Sequence, residues 1–325
     1  PFRPLVDAFQ HGQIDRRRFL ARAAVLGVAP AVATFMANAA PVVASGGSRN
    51  GFALYQDATP EAAPVGIPEV GMENVTRGEG GELRIIQWQA ATHLNAHRAT
   101  GNKEILASDI VNEPLMRYGE DGSLIPNLVT QAPSVENGQL AEDLSSVTFT
   151  LLPDVLWSDG EPVKASDFVY AWKRVLDPAS GAMNSQMLYH IVGAEEAFGG
   201  GDAEAIAISA PDDKTLTFTL KQRVPYMLQL LNYPTFYPVR EDVVSADPEG
   251  WTRDPATFIG TGPFRVTEFN QGESVVFEKN PNYYAADEVS LDKLTFRLIP
   301  DPATALAAME AGDVDGIEAV PAPEI

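Results

Sequence analysis

The imidazoles are the first side chains to weigh for chemistry. His93 and His97 stand four apart, the spacing at which a helix would turn two rings toward one metal ion. The segment that holds them, Ala90 to Gly101, has the polar composition of a loop, and only His190 and the N-terminal His11 add further rings. A packed or solvent-facing pair is therefore the better reading, and no metal is assigned. Gly260-Thr261-Gly262 invites comparison with a phosphate-cradling loop. It lacks the third glycine, the Gly-Lys-Ser/Thr ending and the following helix that such a loop needs, so it reads as a turn leading into a strand. Gly199-Gly200-Gly201 reads as the stop of a helix containing Ala194 to Phe198. There is no Gly-x-Ser-x-Gly elbow, and among 44 acidic residues no spacing singles out an acid and base pair.

The composition narrows the classes further. The chain has 325 residues, 44 acidic against 23 basic, a net charge of -21 and 45% apolar residues, which describes a globular protein. Such a charge repels phosphate backbones, so no nucleic-acid partner is expected. With no cysteine there is no disulfide, thiolate metal site, cysteine nucleophile or lipid anchor on cysteine. No cofactor is implied. Chance pairs among so many carboxylates leave an exported acidic hydrolase open as a class.

The ends of the chain obey different rules. Asp15-Arg16-Arg17-Arg18-Phe19-Leu20 leads into a weakly apolar, Ala-rich run to Ala44 that contains small residues such as Ala37-Asn38-Ala39. Pro30 would cost a buried helix about 3 kcal/mol, and the run is weak for a permanent membrane span. Residues 1–44 resemble a twin-arginine export signal through Arg16, Arg17, Phe19 and Leu20, although Asp15 stands where Ser or Thr is commoner. Residues 45–80, rich in Gly and Pro without sustained period, read as a flexible linker that becomes a tether if the signal is not cleaved.

Beyond the linker, periodicity sets the elements. Glu82 to Gln89 reads as a strand too apolar for an exposed edge, Val147 to Leu151 and Thr215 to Leu220 alternate as half-buried strands, and Asp212-Asp213-Lys214 reads as a turn. Ile105, Ile110, Val111, Leu115 and Met116 follow helical spacing from Asn102, with Pro114 near the last turn. Phe168, Val169, Trp172, Val175 and Leu176 form one stripe on a helix over 165–176. Phe264 to Phe269 and Ser274 to Lys279 flank a Gly-containing hairpin loop. A strand over 294–298, a helix over 302–311 and a strand over 315–320 have the order of a parallel crossover. The fold class is α/β or α+β.

Three ordered blocks carry a resemblance: Val147 to Leu152 leading to Trp157-Ser158-Asp159-Gly160; Asp167 to Arg174; and Gly260-Thr261-Gly262-Pro263-Phe264 with Asn280-Pro281-Asn282-Tyr283-Tyr284. Together they resemble the extracytoplasmic solute-binding proteins of family 5, the oligopeptide, dipeptide and nickel receptors of ABC importers. The turn blocks have a sufficient structural account as buried anchors and are not expected to touch ligand. Lys164 stands where the family generally has a capping Thr.

The resemblance implies a type II periplasmic-binding-protein fold of the α/β class, two-lobed, with lobe I over 81–290 and a truncated lobe II over 291–325. It implies an exported, periplasmic or extracytoplasmic monomer that closes on a peptide and hands it to membrane permease subunits. A nickel or other small-solute receptor, or a sensor of peptide, stays open beside import. The ligand-facing residues it implies are Trp88, Gln89, His93, Leu94 and Asn95 after the first strand, with Met183, Asn184 and Tyr189 as a second group. Alanine at Asn95 or Tyr189 is then expected to weaken peptide binding with little loss of melting temperature.

Overall fold

The computed structural model describes residues 80–119 and 121–318. The expected signal, the linker up to residue 79 and residues 319–320 of the last expected strand lie outside the described residues. Among the described residues, no helix is long and apolar enough to cross a membrane.

A five-stranded mixed sheet and a three-stranded antiparallel sheet make the framework. The larger contains β1 (Glu82–Gln87), β7 (Phe264–Asn270), β8 (Ser274–Lys279), β9 (Lys293–Leu298) and β10 (Gly316–Ile317), in the order β10-β1-β9-β8-β7. β1 pairs in parallel with β9 from Glu82↔Lys293 to Gln87↔Leu298, and in parallel with β10 on its other edge. Interior placement explains its apolar content. The crossover through α6 (Pro302–Glu310) does join parallel strands, but β1 is inserted between them. β9 is also hydrogen-bonded to β8, so the boundary expected near Leu291 falls at the start of a strand inside one continuous sheet.

The smaller sheet orders β4 (Ser146–Thr150), β6 (Thr215–Thr219) and β5 (Ile208–Asp212) as β4-β6-β5. Against it lies α2 (Ala165–Val175), whose buried stripe is Ala165, Phe168, Ala171, Trp172 and Val175. Trp172 meets Phe218 at 5.5 Å and Phe236 edge-on at 5.4 Å, and its indole nitrogen donates to the Phe236 carbonyl at 2.9 Å. Burying large apolar side chains of this kind stabilises the fold by about 1.5–3 kcal/mol each. Lys164 caps α2 without a side-chain acceptor. Asp167 supplies half of a capping box, accepting the Lys164 amide at 3.0 Å and the Trp157 indole N–H at 3.1 Å on the same oxygen.

Two expectations need correction. The helix from Asn102, α1, ends at Asp109, and Met116 begins the strand β2 (Met116–Tyr118), which pairs with β3 (Leu124–Pro126). Val111, Leu115 and Met116 are wholly buried as their types suggest, but the carbonyls of Ile110 and Val111 accept from Phe264 and Gly262 instead of continuing the helix. The second correction is β5, which already contains Asp212, leaving Asp213-Lys214 as the turn. Its Pro211 lies in an edge strand at a register shift between Ser209 and Asp212, where a missing donor is tolerated.

The separated motif blocks meet along a polar seam. Wholly buried Asn280 donates to the Gly262 carbonyl at 2.9 Å, Asn282 donates to the Ser158 carbonyl at 3.0 Å, and the Ser158 amide donates to the Gly260 carbonyl at 2.8 Å. The Thr261 hydroxyl accepts the Glu113 amide at 3.0 Å, and the Tyr283 hydroxyl donates to Glu113 Oε1 at 2.7 Å. The Gly-Thr-Gly strip runs against the end of α1 so closely that a Cβ on Gly260 would stand 2.0 Å from the Val111 carbonyl oxygen. Glycine is required there by backbone approach.

Candidate functional site

β1 delivers the chain to the loop that carries the first group of expected ligand residues. Trp88 leaves the sheet 52% exposed, and Gln89 beside it lines a dent of about 10 Å³ with Ala90, Phe269, Glu273 and Arg297. That volume suits a single water and not a solute. Further along, His93 is half-buried with Nδ1 lacking a protein partner, and burial holds its pKa below the usual imidazole value, against the opposing pull of Glu104.

The next two residues turn their side chains into the protein. Leu94 is wholly buried in the main core, so its side chain serves packing. Asn95 is 4% exposed, and its Oδ1 accepts the His97 amide at 3.1 Å, capping the 3-10 turn Ala96–Arg98. The apolar type of Leu94 and the capping type of Asn95 were signals for these roles.

The second group lies against the first. The Met183 amide donates to the His97 carbonyl at 2.7 Å, and Arg98 Nε donates to the Ser180 carbonyl at 2.6 Å while its fork grips Glu249 at 2.6 and 2.7 Å. Met183 presents a 44% exposed side chain, and Asn184 holds a left-handed φ of 62° that turns the chain into the 3-10 helix Ser185–His190. Met183 and Asn184 are thus joined to the 93–98 loop. Tyr189 leans on Phe198 instead, with ring centres 5.5 Å apart.

Below both loops lies a set of buried groups that sequence reading missed. His97 Nε2 is 3.0 Å from the Tyr237 carbonyl and Nδ1 is 3.2 Å from an Arg174 guanidinium nitrogen. Burial pushes its pKa down to about 3, with the Arg174 charge adding to the effect and the Tyr237 contact opposing it. A ring with both nitrogens engaged has no lone pair for the metal that the His93/His97 spacing suggested. The Tyr237 hydroxyl donates to Asp109 at 2.9 Å, and burial raises that carboxyl to about 6 against this hydrogen bond. Arg174 and Tyr237 lie 77 and 140 residues from His97, and Asp109 lies 128 from Tyr237, so no local pattern marks these pairings. A depression of about 550 Å³ beside Ser158, Asp254, Phe258 and Arg265 contains none of the expected ligand residues.

Comparison with known proteins gives this geometry its class. Residues 123–325 match the family model of bacterial extracellular solute-binding proteins, family 5, middle region, and the chain belongs to that family. Within it, the chain is 34% identical over 206 residues to the dipeptide-binding protein DppE of Bacillus subtilis, covering 63% of this chain and 37% of that protein. It is 28% identical to the periplasmic oligopeptide-binding protein OppA of Salmonella typhimurium, covering 79% of this chain and 45% of the relative. The fold matches the Escherichia coli murein tripeptide binding protein MppA with a TM-score of 0.70 at 29% identity, over 75% of this chain and 47% of that one. The chain spans less than half the length of these relatives. Their architecture is that of periplasmic peptide-binding proteins, and the α/β fold and family expected from the motif blocks hold.

Proposed function

We propose that the whole protein is an extracytoplasmic receptor of an ABC importer that captures peptides between two lobes, delivers them to a membrane permease and performs no reaction on them. The 93–98 loop, with its neighbours Met183 and Asn184, contributes one wall, with Trp88 and Gln89 at its margin and Tyr189 further along. The observation that carries the reading is the match of this framework to relatives named for binding dipeptides, oligopeptides and murein tripeptide. Closure on a ligand requires that the closed form bind it more tightly than the open form. The remaining parts of the reading are export by a twin-arginine signal over 1–44, a linker to about residue 80, a second lobe continuing past 291 and a monomeric state.

The test is titration calorimetry of the full-length protein with the tripeptide trialanine, followed by mass spectrometry of the recovered peptide. The expected result is saturable binding with the tripeptide returned intact. Fragments would move the protein to the hydrolase class, and absence of binding to a panel of di- to pentapeptides would remove peptides as its solutes.

A further inference from the structure

His97 is 1% exposed, yet each of its four polar groups is engaged with a different neighbour. Its amide donates to Asn95, its carbonyl accepts from Met183, and its ring nitrogens face Tyr237 and Arg174. The chemistry of the last two fixes the ring. A guanidinium can only donate and a carbonyl can only accept, so Nδ1 must be bare and Nε2 must carry the proton. The other charges nearby are Arg98, which is held by Glu249, and Asp109, which is reached only through the far end of Tyr237. A proton on Nδ1 would point an N–H at the Arg174 guanidinium, which no arrangement of these groups favours.

Resting on the peptide-receptor reading, we propose that His97 is a positioning residue of the ligand site. As a neutral Nε2–H strut it fixes the 93–96 loop against the Met183-Asn184 segment by tying both to α2 through Arg174 and to α1 through Tyr237. The two loops are joined by the Met183 amide on the His97 carbonyl and, one residue further on, by Arg98 Nε on the Ser180 carbonyl. The ring holds the His97 carbonyl in place. An amide side chain can replace only one end of it: asparagine restores an acceptor near the Nδ1 position, and glutamine restores a donor near the Nε2 position.

The experiment uses the full-length protein and the variants His97→Asn and His97→Gln, each kept at a temperature where circular dichroism reports a folded chain. Exchange of the Met183 amide should accelerate about tenfold in both variants, and trialanine affinity should fall about tenfold. Affinity and Met183 exchange both within about twofold of wild type would overturn the proposal, as would loss of melting temperature with affinity intact. If the wild-type protein does not bind trialanine, the peptide reading fails separately and Met183 exchange alone decides on His97. If neither variant folds, nitrogen-15 spectra of the wild-type histidines decide. A fixed Nε2–H signal from pH 5 to 8 supports the strut, and an Nδ1–H tautomer or a protonation midpoint in that range overturns it.

Discussion

Around Trp172 the chain buries large rings and gives their polar atoms work: the Trp172 and Trp157 indoles both donate, one to a carbonyl and one to Asp167. Where α6 packs on β1 and β10, the buried cluster among the described residues is Ile86, Ala305 and Val314, backed by partly buried Ile299, Ala308 and Ile317. What fastens that corner is largely exposed, with Arg84 bonded to Asp315 at 3.0 Å by two nitrogens and to the Gly312 carbonyl at 3.2 Å. Exposed ion pairs contribute little and are screened by salt, whereas ring burial contributes several kcal/mol. The two regions should therefore open independently, the corner first and the core only with global unfolding.

Four measurements test that contrast. Trp172→Ala should cost about 3–5 kcal/mol in denaturant unfolding, since it removes two edge-on ring contacts and leaves the Phe236 carbonyl without its donor. A smaller effect is expected at Glu113, whose carboxyl burial lifts to about 7 against the hydrogen bonds from Tyr283 and Tyr284. A folded-state pKa above the unfolded one means that its contribution is fully present below about pH 4.5 and lost as pH rises through about 7. Unfolding free energies of wild type should therefore fall over that window relative to Glu113→Gln, by at most about 3 kcal/mol.

Val314→Ala should cost about 1.5 kcal/mol and speed hydrogen exchange in α6 while leaving β4 and β6 protected. Equal acceleration in both regions would merge them into one cooperative unit. Asn95→Ala should lower stability by about 1 kcal/mol, because it removes the acceptor for the His97 amide. This reverses the expectation that its loss would spare the melting temperature, and calorimetric scanning checks it.

Legibility in the sequence followed the range of the cause. β4, β6 and α2 are written in local alternation or in a 3.6-residue stripe, and both patterns appear as expected. α1 ends sooner than its apolar spacing implies because the acceptors at its end are taken by Gly262 and Phe264, some 150 residues downstream. The candidate site was legible as a loop but not as a mechanism. Nothing near His97 announces Arg174 or the Tyr237 carbonyl, and a main-chain acceptor leaves no trace in side-chain types. Leu94 was the reverse case, its apolar character already arguing for the interior.

The placement of β1 also sets an order of assembly. The Gly81 amide donates to Asp292, 211 residues further on, and both sheet neighbours of β1 come from the same late stretch. As the polypeptide leaves the ribosome, β1 must wait for these two neighbours while β4, β6 and α2 can already collapse together. Refolding should consequently show a slow phase in which the large sheet closes, and during that wait the apolar face of β1 is open to capture by chaperones or by other copies.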